Sequence, residues 1–322
     1  YEHVHCARDA ERLPNAWTTG DSDRMYERIL RESDFADYSP TVLSRPADSD
    51  YARSTTSLEE DPDVGVGPWL IQMENLLTDA ECDEMIAQTD IAISESQSQS
   101  QSDHDGERYP YAELADDRTS DAMGGVCQST QAWCDPDRCL QQPLLKDVWS
   151  RIEDLVGLPF ATHTEPVHFI KYVPGQKYGS HTDVIAEEYD SMAGPRLFTL
   201  LVYLNDVEEG GQTCFPQIER AYPGNSDPIC VQPKRGRAIL WPNIRNDFVD
   251  GKIERSENRT WHEAHSIPSG VKYASTVWYH LRNFSFADDV GCTDIYTDGM
   301  DEYDDEDYEE YDNDNDNDND ND

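Results

Sequence analysis

A His-x-Asp triplet and two later histidines carry the residue types of a metal site. His181 and Asp183 are separated by one residue, so on an extended strand their side chains project from the same face. His262 and His265 follow roughly eighty residues later, in a strand-rich part of the chain. Two imidazole nitrogens and one carboxylate oxygen on one side of an ion form the facial triad of non-haem Fe(II) sites, which leaves coordination positions open. The alternative is an ordinary surface or core histidine beside an aspartate.

A lysine downstream of these histidines supplies a candidate cation for the same site. Lys272 lies ten residues after His262, where 270–272 leads into a β-rich segment. If the metal binds 2-oxoglutarate by its keto-acid end, the distal carboxylate of that molecule needs a cation, and a buried lysine needs such an anion. The alternative is an exposed strand lysine with a solvated ammonium group.

Along the chain, the elements that must position these residues are mostly helices in the first half and strands in the second half. A helix is expected near 21–33 and a short strand in 67–77; Thr78 to Glu81 form a capping box that opens a helix to about Gln88. Apolar residues recur at helical spacing over Pro143–Val156. The β-rich segments are 167–173, 197–205, 237–241 and 272–282. Because helices and strands do not alternate, the order predicts an α+β domain with a β-sandwich or jelly-roll core.

The two ends of the chain differ from this middle part. Residues 1–66 are polar and are expected to form an N-terminal extension, and the Ser/Gln-rich stretch 94–105 is expected to be a mobile loop. The pattern is lost from about Phe286, so 287–322 are predicted to be an acidic, mostly disordered tail. The core domain is therefore predicted at 67–286.

The charge of the chain restricts its partners. The net charge is −42 over 322 residues, and removing the 14 acidic residues of the stretch from Asp301 to Asp322 still leaves −28. Such a field repels phosphates and argues against nucleic acid or an anionic membrane as a partner. A basic protein substrate would be attracted, although acidity also simply maintains solubility. No apolar run is long enough to span a membrane.

Cysteines and glycosylation sequons indicate the compartment. The chain has 8 cysteines, three of them clustered at Cys127, Cys134 and Cys139, and sequons at Asn258 and Asn283. Together these favour the secretory pathway, with disulfides, over a cytosolic protein with free thiols. Because the chain begins at Tyr1 rather than Met, we expect that any signal peptide has already been removed.

Several segments resemble the prolyl 4-hydroxylases in family order and spacing. They are 169–183 (FIKYVPGQKYGSHTD), 199–216 (TLLVYLNDVEEGGQTCFP) and 262–278 (HEAHSIPSGVKYASTVW), preceded by the opening 68–86. The resemblance covers roughly 67–284. Three segments have no counterpart in it: 94–105, 125–139 and 220–229. The last lies between Cys214 and Cys230, which could form a disulfide, with other pairings open.

The resemblance implies an α+β fold with a double-stranded β-helix (jelly-roll, cupin-like) core buttressed by helices. It assigns iron to His181, Asp183 and His262, and the distal carboxylate of 2-oxoglutarate to Lys272, with Tyr172 and Thr199 as hydroxyl donors beside it. It places Tyr178 and Trp278 near the substrate, although both are also ordinary strand or core residues. The family interval of ten residues to Lys272 selects His262 over His265. His163, His168 and His280 are interpreted as structural.

The function implied by the resemblance is hydroxylation of peptidyl proline with Fe(II), 2-oxoglutarate and O2, releasing succinate and CO2, and with ascorbate as a further cofactor. The carboxylate of Asp183 argues for hydroxylation, because related halogenating enzymes lack it. A secretory enzyme of this kind is expected in the endoplasmic reticulum lumen as a disulfide-bonded glycoprotein. Two alternatives stay open: a related oxygenase acting on lysine or a small molecule, and a secreted acidic binding protein with an inactive barrel.

Overall fold

The computed structural model describes Cys6 and residues 13–47, 49, 65–99, 129–220, 227–245, 248–249, 252–253 and 256–293. Its α-helices are α1 (Asp21–Arg31), α2 (Asp79–Gln99), α3 (Pro136–Gln141), α4 (Pro143–Val156), α5 (Phe160–His163) and α6 (Phe284–Asp289). Short 3-10 helices lie at Ser33–Tyr38, Ala186–Tyr189 and Asn258–Thr260.

The strands follow the predicted order and form two main sheets. They are β1 (Thr41–Arg45), β2 (Gly65–Val66), β3 (Leu70–Met73), β4 (Thr130–Trp133), β5 (His168–Tyr172), β6 (Tyr178–His181), β7 (Arg196–Tyr203), β8 (Thr213–Phe215), β9 (Glu219–Arg220), β10 (Ile229–Val231), β11 (Ala238–Pro242), β12 (Phe248–Val249), β13 (Lys252–Ile253), β14 (His262–Ala264) and β15 (Lys272–His280). The major sheet has the order β4-β5-β15-β7-β11-β3-β1-β2-β9 and the minor sheet the order β10-β8-β14-β6. This pair of mostly antiparallel sheets is the predicted double-stranded β-helix core of an α+β domain.

Strand β7 shows how the major sheet separates two cores. Phe198, Leu200 and Val202 face the large cluster shared with the helices, whereas Leu201 and Tyr203 face the smaller cluster between the sheets. Side chains alternate between faces along a strand, and both faces are covered here. The run 197–204, which is apolar except for Thr199, therefore reflects a strand that is buried on both sides.

Helix α4 buttresses the major sheet as its periodicity predicts. It begins where Gln142 caps Leu144 with Pro143 at the first turn, and it ends at Gly157, whose φ of 75° suits glycine. Trp149 stacks on Phe160 with ring centroids 4.6 Å apart. Arg151 on the same helix pairs with Glu81 at 2.8 Å, which fixes α4 to the start of α2.

The predicted capping box is present, but helix α2 is longer than predicted. Thr78 and Glu81 exchange hydrogen bonds, with Glu81 Oε2 accepting from Thr78 N at 2.8 Å. The helix runs to Gln99, so the expected loop is wrong for residues 94–99, and 100–105 lie outside the described residues. Packing of Ala92 and Ile93 into the core keeps the backbone helical into the polar stretch.

The segments next to both predicted domain boundaries pack into the same core. In the N-terminal part, Trp17 stacks on Phe198 at 5.0 Å, Tyr26 stacks on Trp69 at 5.4 Å, and β1 joins the major sheet. The boundaries at 66 and 286 themselves remain predictions. The expected loss of pattern at 286 is wrong for 287–293, because α6 continues to Asp289 and Cys292 forms a disulfide with Cys6. Residues 294–322 lie outside the described part.

Two further disulfides join Cys134 to Cys139 and Cys214 to Cys230. The second confirms the predicted pairing across β8 and β10, where the two cysteines lie directly opposite each other. Cys82 is a buried free thiol, and Cys127 lies outside the described residues. Within the described ranges, no helix has the length and apolar character needed to cross a membrane.

Candidate active site

The three proposed iron ligands meet at one end of the minor sheet. His181 ends β6, His262 begins β14, and the two residues are direct partners across these strands, with ring centroids 4.2 Å apart. Asp183 lies two residues beyond the end of β6, in a turn rather than on the strand. Its Oδ1 is 3.8 Å from His181 Nε2 and 3.9 Å from His262 Nε2. The side chains of His181 and Asp183 therefore point to one position as predicted, although Asp183 lies beyond the end of the strand and not on it.

Hydrogen bonds leave one lone pair of each residue facing the centre. His181 Nδ1 donates to the carbonyl of Gly179 at 2.9 Å, and His262 Nδ1 donates to that of Thr260 at 3.0 Å. Each imidazole then presents a bare Nε2, which is the arrangement usual for metal-binding histidines. The hydroxyl of Thr199 donates to Asp183 Oδ2 at 2.6 Å, which directs Oδ1 towards the histidines.

The electrostatics of the cluster favour the protonation states that a metal ligand needs, a neutral imidazole on His181 and an ionised carboxylate on Asp183. Burial, and next the neighbouring His262, lower the pKa of His181 to about 4. Burial alone would raise the pKa of Asp183, but His262, His181, Arg196 and the Thr199 hydroxyl outweigh it and hold that pKa below its ordinary value. At neutral pH the site thus offers an uncharged imidazole and a carboxylate, as metal binding requires.

These donors fit an Fe(II) ion. The ligand atoms of His181, Asp183 and His262 all lie within 4.8 Å of one another, and Asp183 and His262 are buried. Two imidazoles and one carboxylate are the donor set of the facial triad. His265 is not part of it: its Nε2 lies 3.0 Å from Glu263 Oε1 and its Nδ1 contacts the sulfur of Cys214.

Lys272 is a buried cation deep in the same cavity. Its side chain is 1% exposed, its Nζ donates to the carbonyl of Gly211 at 2.8 Å, and burial lowers its pKa to about 7. Among the described residues, no carboxylate forms a salt bridge with Lys272, although a buried ammonium requires such a partner. The residue therefore fits an incoming anion such as the distal carboxylate of 2-oxoglutarate, and the exposed-lysine alternative is wrong.

Tyr172 and Thr199 occupy different ends of the cavity. Tyr172 is the direct partner of Lys272 across β5 and β15, and its ring centroid lies 4.8 Å from Nζ. Thr199 instead contacts Asp183 and Asn243, so the structure does not support its predicted place beside the distal carboxylate. The family resemblance had assigned that place; the buried hydroxyl does have the partner it needs, but the partner is the Asp183 carboxylate.

Two buried hydroxyl groups near Lys272 were missed by the sequence reasoning. Tyr203 has its ring centroid 5.4 Å from Lys272 Nζ, and its hydroxyl donates to Thr213 Oγ1 at 2.7 Å. Thr213 lines the cavity and is 1% exposed. Both residues lie inside the motif 199–216, but an apolar strand context gave no signal for either hydroxyl.

A buried ionic network lies behind Asp183. Arg196 pairs with Glu165 at 2.5 Å, and its guanidinium lies 3.9 Å from the ring centre of Trp278. His280 Nε2 contacts Glu165 Oε1 at 2.8 Å. His280 is therefore a structural residue, as predicted, but it has a charged partner that sequence spacing did not reveal. Glu165, Glu188 and His280 also cluster closely, but Arg196 already supplies the cation there.

All eight site residues predicted from the sequence line one cavity of about 320 Å³. Its further lining residues include Gln131, Trp133, His168, Ile170, Thr182, Ile185, Arg196, Leu201, Thr213, Trp241, Ala264, Ala274 and Thr276. Tyr178 stacks on His181 with centroids 3.8 Å apart, and Trp278 is buried in the wall. His168 also lines the cavity, which corrects its interpretation as merely structural. Its alternation with Ile170 and Tyr172 along β5 was the available signal.

Comparisons with known proteins find related sequences across the segment that carries this site. The sequence profile of the 2OG-Fe(II) oxygenase superfamily matches residues 167–280, which contain all of these proposed iron and cosubstrate residues. Prolyl 4-hydroxylase 2 of Arabidopsis thaliana is 27% identical over 72% of this chain and 74% of its own length. Prolyl 4-hydroxylase subunit alpha-2 of Gallus gallus is 31% identical over 52% of this chain, but the match spans only 28% of that subunit. A viral collagen prolyl hydroxylase of Paramecium bursaria chlorella virus 1, solved with 2OG, is 22% identical with a TM-score of 0.45, covering 66% of this chain and 95% of that one.

Proposed function

We propose that this chain, which matches the 2OG-Fe(II) oxygenase superfamily over residues 167–280 and has prolyl 4-hydroxylases among its relatives, hydroxylates proline residues of a peptide or protein. The observation that carries the proposal is the convergence of His181, Asp183, His262 and Lys272 on one cavity. When bound, Fe(II) and 2-oxoglutarate supply the oxidising chemistry, which inserts one oxygen atom of O2 into a substrate C–H bond and releases succinate and CO2.

The residues of the chain act by holding and orienting these groups. His181, Asp183 and His262 would bind the ion from one side and leave positions open for cosubstrate and oxygen. Thr199 and Asn243 orient Asp183: Asn243 Nδ2 donates to Thr199 Oγ1 at 2.9 Å, and Thr199 donates onward to Asp183. Such supporting hydrogen bonds fix the direction of a ligand lone pair before the metal arrives.

Lys272 would hold the cosubstrate by its far end. Its ammonium is shielded between the rings of Tyr172 and Tyr203, where a carboxylate pairs with little competition from water. A bound carboxylate also removes the cost of burying this cation alone. Fixing both ends of 2-oxoglutarate leaves the opposite end of the cavity for substrate.

That opposite end is suited to a proline-rich chain. Trp278 and Tyr178 present aromatic surfaces in the cavity wall, and extended proline-rich peptides dock in grooves lined by such rings. The acidic surface of the chain, at a net charge of −42, would favour a basic polypeptide during encounter.

The setting of the enzyme is part of the proposal. Three disulfides in the described residues support an oxidising compartment, and we assign the endoplasmic reticulum lumen. Asn258 is exposed and available for N-glycosylation, whereas Asn283 caps helix α6 by accepting from Phe286 N at 2.8 Å. Ascorbate, which re-reduces iron after uncoupled turnover, is the proposed additional cofactor.

The direct test is product analysis. The chain is incubated with Fe(II), 2-oxoglutarate, ascorbate and matched proline-rich and lysine-rich peptides, and fragmentation mass spectra locate any added oxygen. The proposal expects oxygen on proline, in a ratio of about one to each succinate, and none with Asp183→Ala. Oxygen on lysine, or none on any peptide despite bound iron, would contradict it.

A further inference from the structure

His168 lies at the end of the cavity that faces away from the cosubstrate lysine. Along β5 and β15, Tyr172 pairs with Lys272 and His168 pairs with Thr276. Four residues of strand separate the two pairs, which corresponds to about 13 Å. His168 therefore lies in the half of the cavity that 2-oxoglutarate does not reach, where the proposed peptide substrate must bind.

The imidazole of His168 is held in an aromatic stack. The ring of Trp278 lies on it at a centroid distance of 4.9 Å, and the ring of Trp133 lies 4.7 Å away. The residue is only 3% exposed. Trp133 comes from the edge strand β4 and is half-buried, so a shift of that ring would open the imidazole towards the cavity.

The hydrogen bonds around His168 define which nitrogen carries the proton. Gln131 Nε2 donates to Ser129 Oγ at 3.0 Å, which leaves Gln131 Oε1 facing His168 Nε2 at 3.0 Å. A carbonyl oxygen accepts, so Nε2 carries the hydrogen and Nδ1 carries the lone pair. Burial lowers the pKa of His168 to about 3, so the ring stays neutral and this lone pair persists at neutral pH.

That lone pair has no partner within the described protein. His168 Nδ1 is buried without a hydrogen bond, and so is the indole N–H of Trp278 stacked against it. Leaving a buried acceptor and a buried donor unpaired costs stability, and such groups in a cavity wall are often reserved for a ligand. A peptide group carries both complements, an N–H for the imidazole and a carbonyl for the indole.

We propose that His168 is a specificity-determining residue whose Nδ1 accepts a backbone N–H of the substrate peptide next to the hydroxylated proline. Proline has no backbone N–H, so the interaction requires a residue of another type in that position. The enzyme therefore selects sequences in which proline alternates with other residues over uninterrupted polyproline. The inference rests on the proposed function for the identity of the substrate.

The test compares two peptides in which that N–H is either present or replaced by N–CH3. An Ala-Pro repeat and the same peptide built with N-methylalanine are titrated by calorimetry into the chain, with 2-oxoglutarate and Mn(II) replacing iron. The wild-type chain should bind the Ala-Pro repeat about fivefold more tightly, as expected for one buried hydrogen bond. His168→Phe, which keeps a stacking ring but no acceptor, should bind both peptides equally, and His168→Gln, which restores an acceptor, should recover the preference.

Affinity for 2-oxoglutarate serves as the folding control, since all three proteins should share it. Equal binding of both peptides by the wild type, no binding of either, or an unchanged preference in His168→Phe would overturn the assignment. Hydroxylation of the Ala-Pro repeat is measured in parallel with Fe(II). Selective binding without hydroxylation would contradict the proposed function and leave the role of His168 intact. Hydroxylation without selective binding would support the proposed function and contradict the role of His168.

Discussion

The hydroxyl of Thr199 donates to Asp183 Oδ2 at 2.6 Å, while Asp183 Oδ1 faces the Nε2 atoms of both His181 and His262. One carboxylate is thus shared between a buried supporting hydroxyl and the proposed metal position. Thr199 lies on β7, between β15 and β11 in the middle of the major sheet, whereas Asp183 lies beyond the end of β6. The contact therefore ties a ligand outside the strands to the hydrogen-bonded sheet.

Replacing this hydroxyl should weaken iron binding without unfolding the protein. Thr199→Val keeps the shape of the side chain, so we expect a decrease of about 10- to 100-fold in Fe(II) affinity, as is typical when a supporting hydrogen bond is lost. Anaerobic Fe(II) titration measures it. Thr276→Val makes the same change on the neighbouring strand β15, and equal iron affinities in the two variants would refute the role of Thr199.

Loss of the Lys272 charge should act on the cosubstrate. Lys272→Met removes the ammonium from a buried site, and the dissociation constant for 2-oxoglutarate should rise by about 100-fold or more. Fe(II) affinity should stay near the wild-type value. Lys171→Met is the matched control, because Lys171 lies on the opposite face of β5 and pairs with the exposed Asp90. Similar losses in both variants would show that charge in general, rather than this cation, binds the cosubstrate.

Cosubstrate binding should also weaken as pH rises. Burial lowers the pKa of Lys272 to about 7, so the lysine is protonated below that pH and increasingly neutral above it. Only the protonated form of Lys272 pairs with a carboxylate. A bound carboxylate should raise the pKa of Lys272, so the fraction of chains whose lysine is neutral takes up a proton when 2-oxoglutarate binds. The dissociation constant for 2-oxoglutarate should increase between pH 7 and pH 8.5, and calorimetry in buffers of different ionisation enthalpy should detect the proton. A pH-independent constant would contradict this account.

The sequence predicted those parts of the fold and the site that depend on local pattern. Helix Pro143–Val156 was predicted with its observed bounds because its apolar residues recur at helical spacing. His181 and Asp183 were found because they are close in sequence, and His262 because its interval to Lys272 matched a known family. Arg196, Glu165 and His280 come from separate segments, and only the pairing of β5, β7 and β15 brings them together. Their contacts could not be deduced from local spacing.

The buried pair of Arg196 and Glu165 should set the acid limit of stability. Burial alone would raise the pKa of Glu165, but Arg196 and His280 lower it to about 2, compared with 4.5 in an exposed chain. A depressed folded-state pKa means that the carboxylate stabilises the fold above pH 4.5 and that this contribution is lost as pH falls towards 2. Glu165→Gln removes the nearest carboxylate from Arg196 and leaves it only the more distant Glu188 at 4.0 Å, and we expect it to lower the free energy of unfolding at pH 7 by about 3 kcal/mol. Denaturant unfolding at pH 7 and pH 3 tests this, since the difference in stability between the wild type and the variant should be smaller at the lower pH.

The central claim is that His181, Asp183, His262 and Lys272 together hold Fe(II) and 2-oxoglutarate in one cavity. The most direct measurement is the visible charge-transfer absorption of the Fe(II)–2-oxoglutarate chelate under anaerobic conditions. The account predicts this band when both are added to the wild-type chain, with a stoichiometry of one. The band should be absent in His262→Ala, unchanged in His265→Ala, and restored in Lys272→Met only at much higher 2-oxoglutarate. A wild-type chain without the band, or a band that persists in His262→Ala and disappears in His265→Ala, would contradict it.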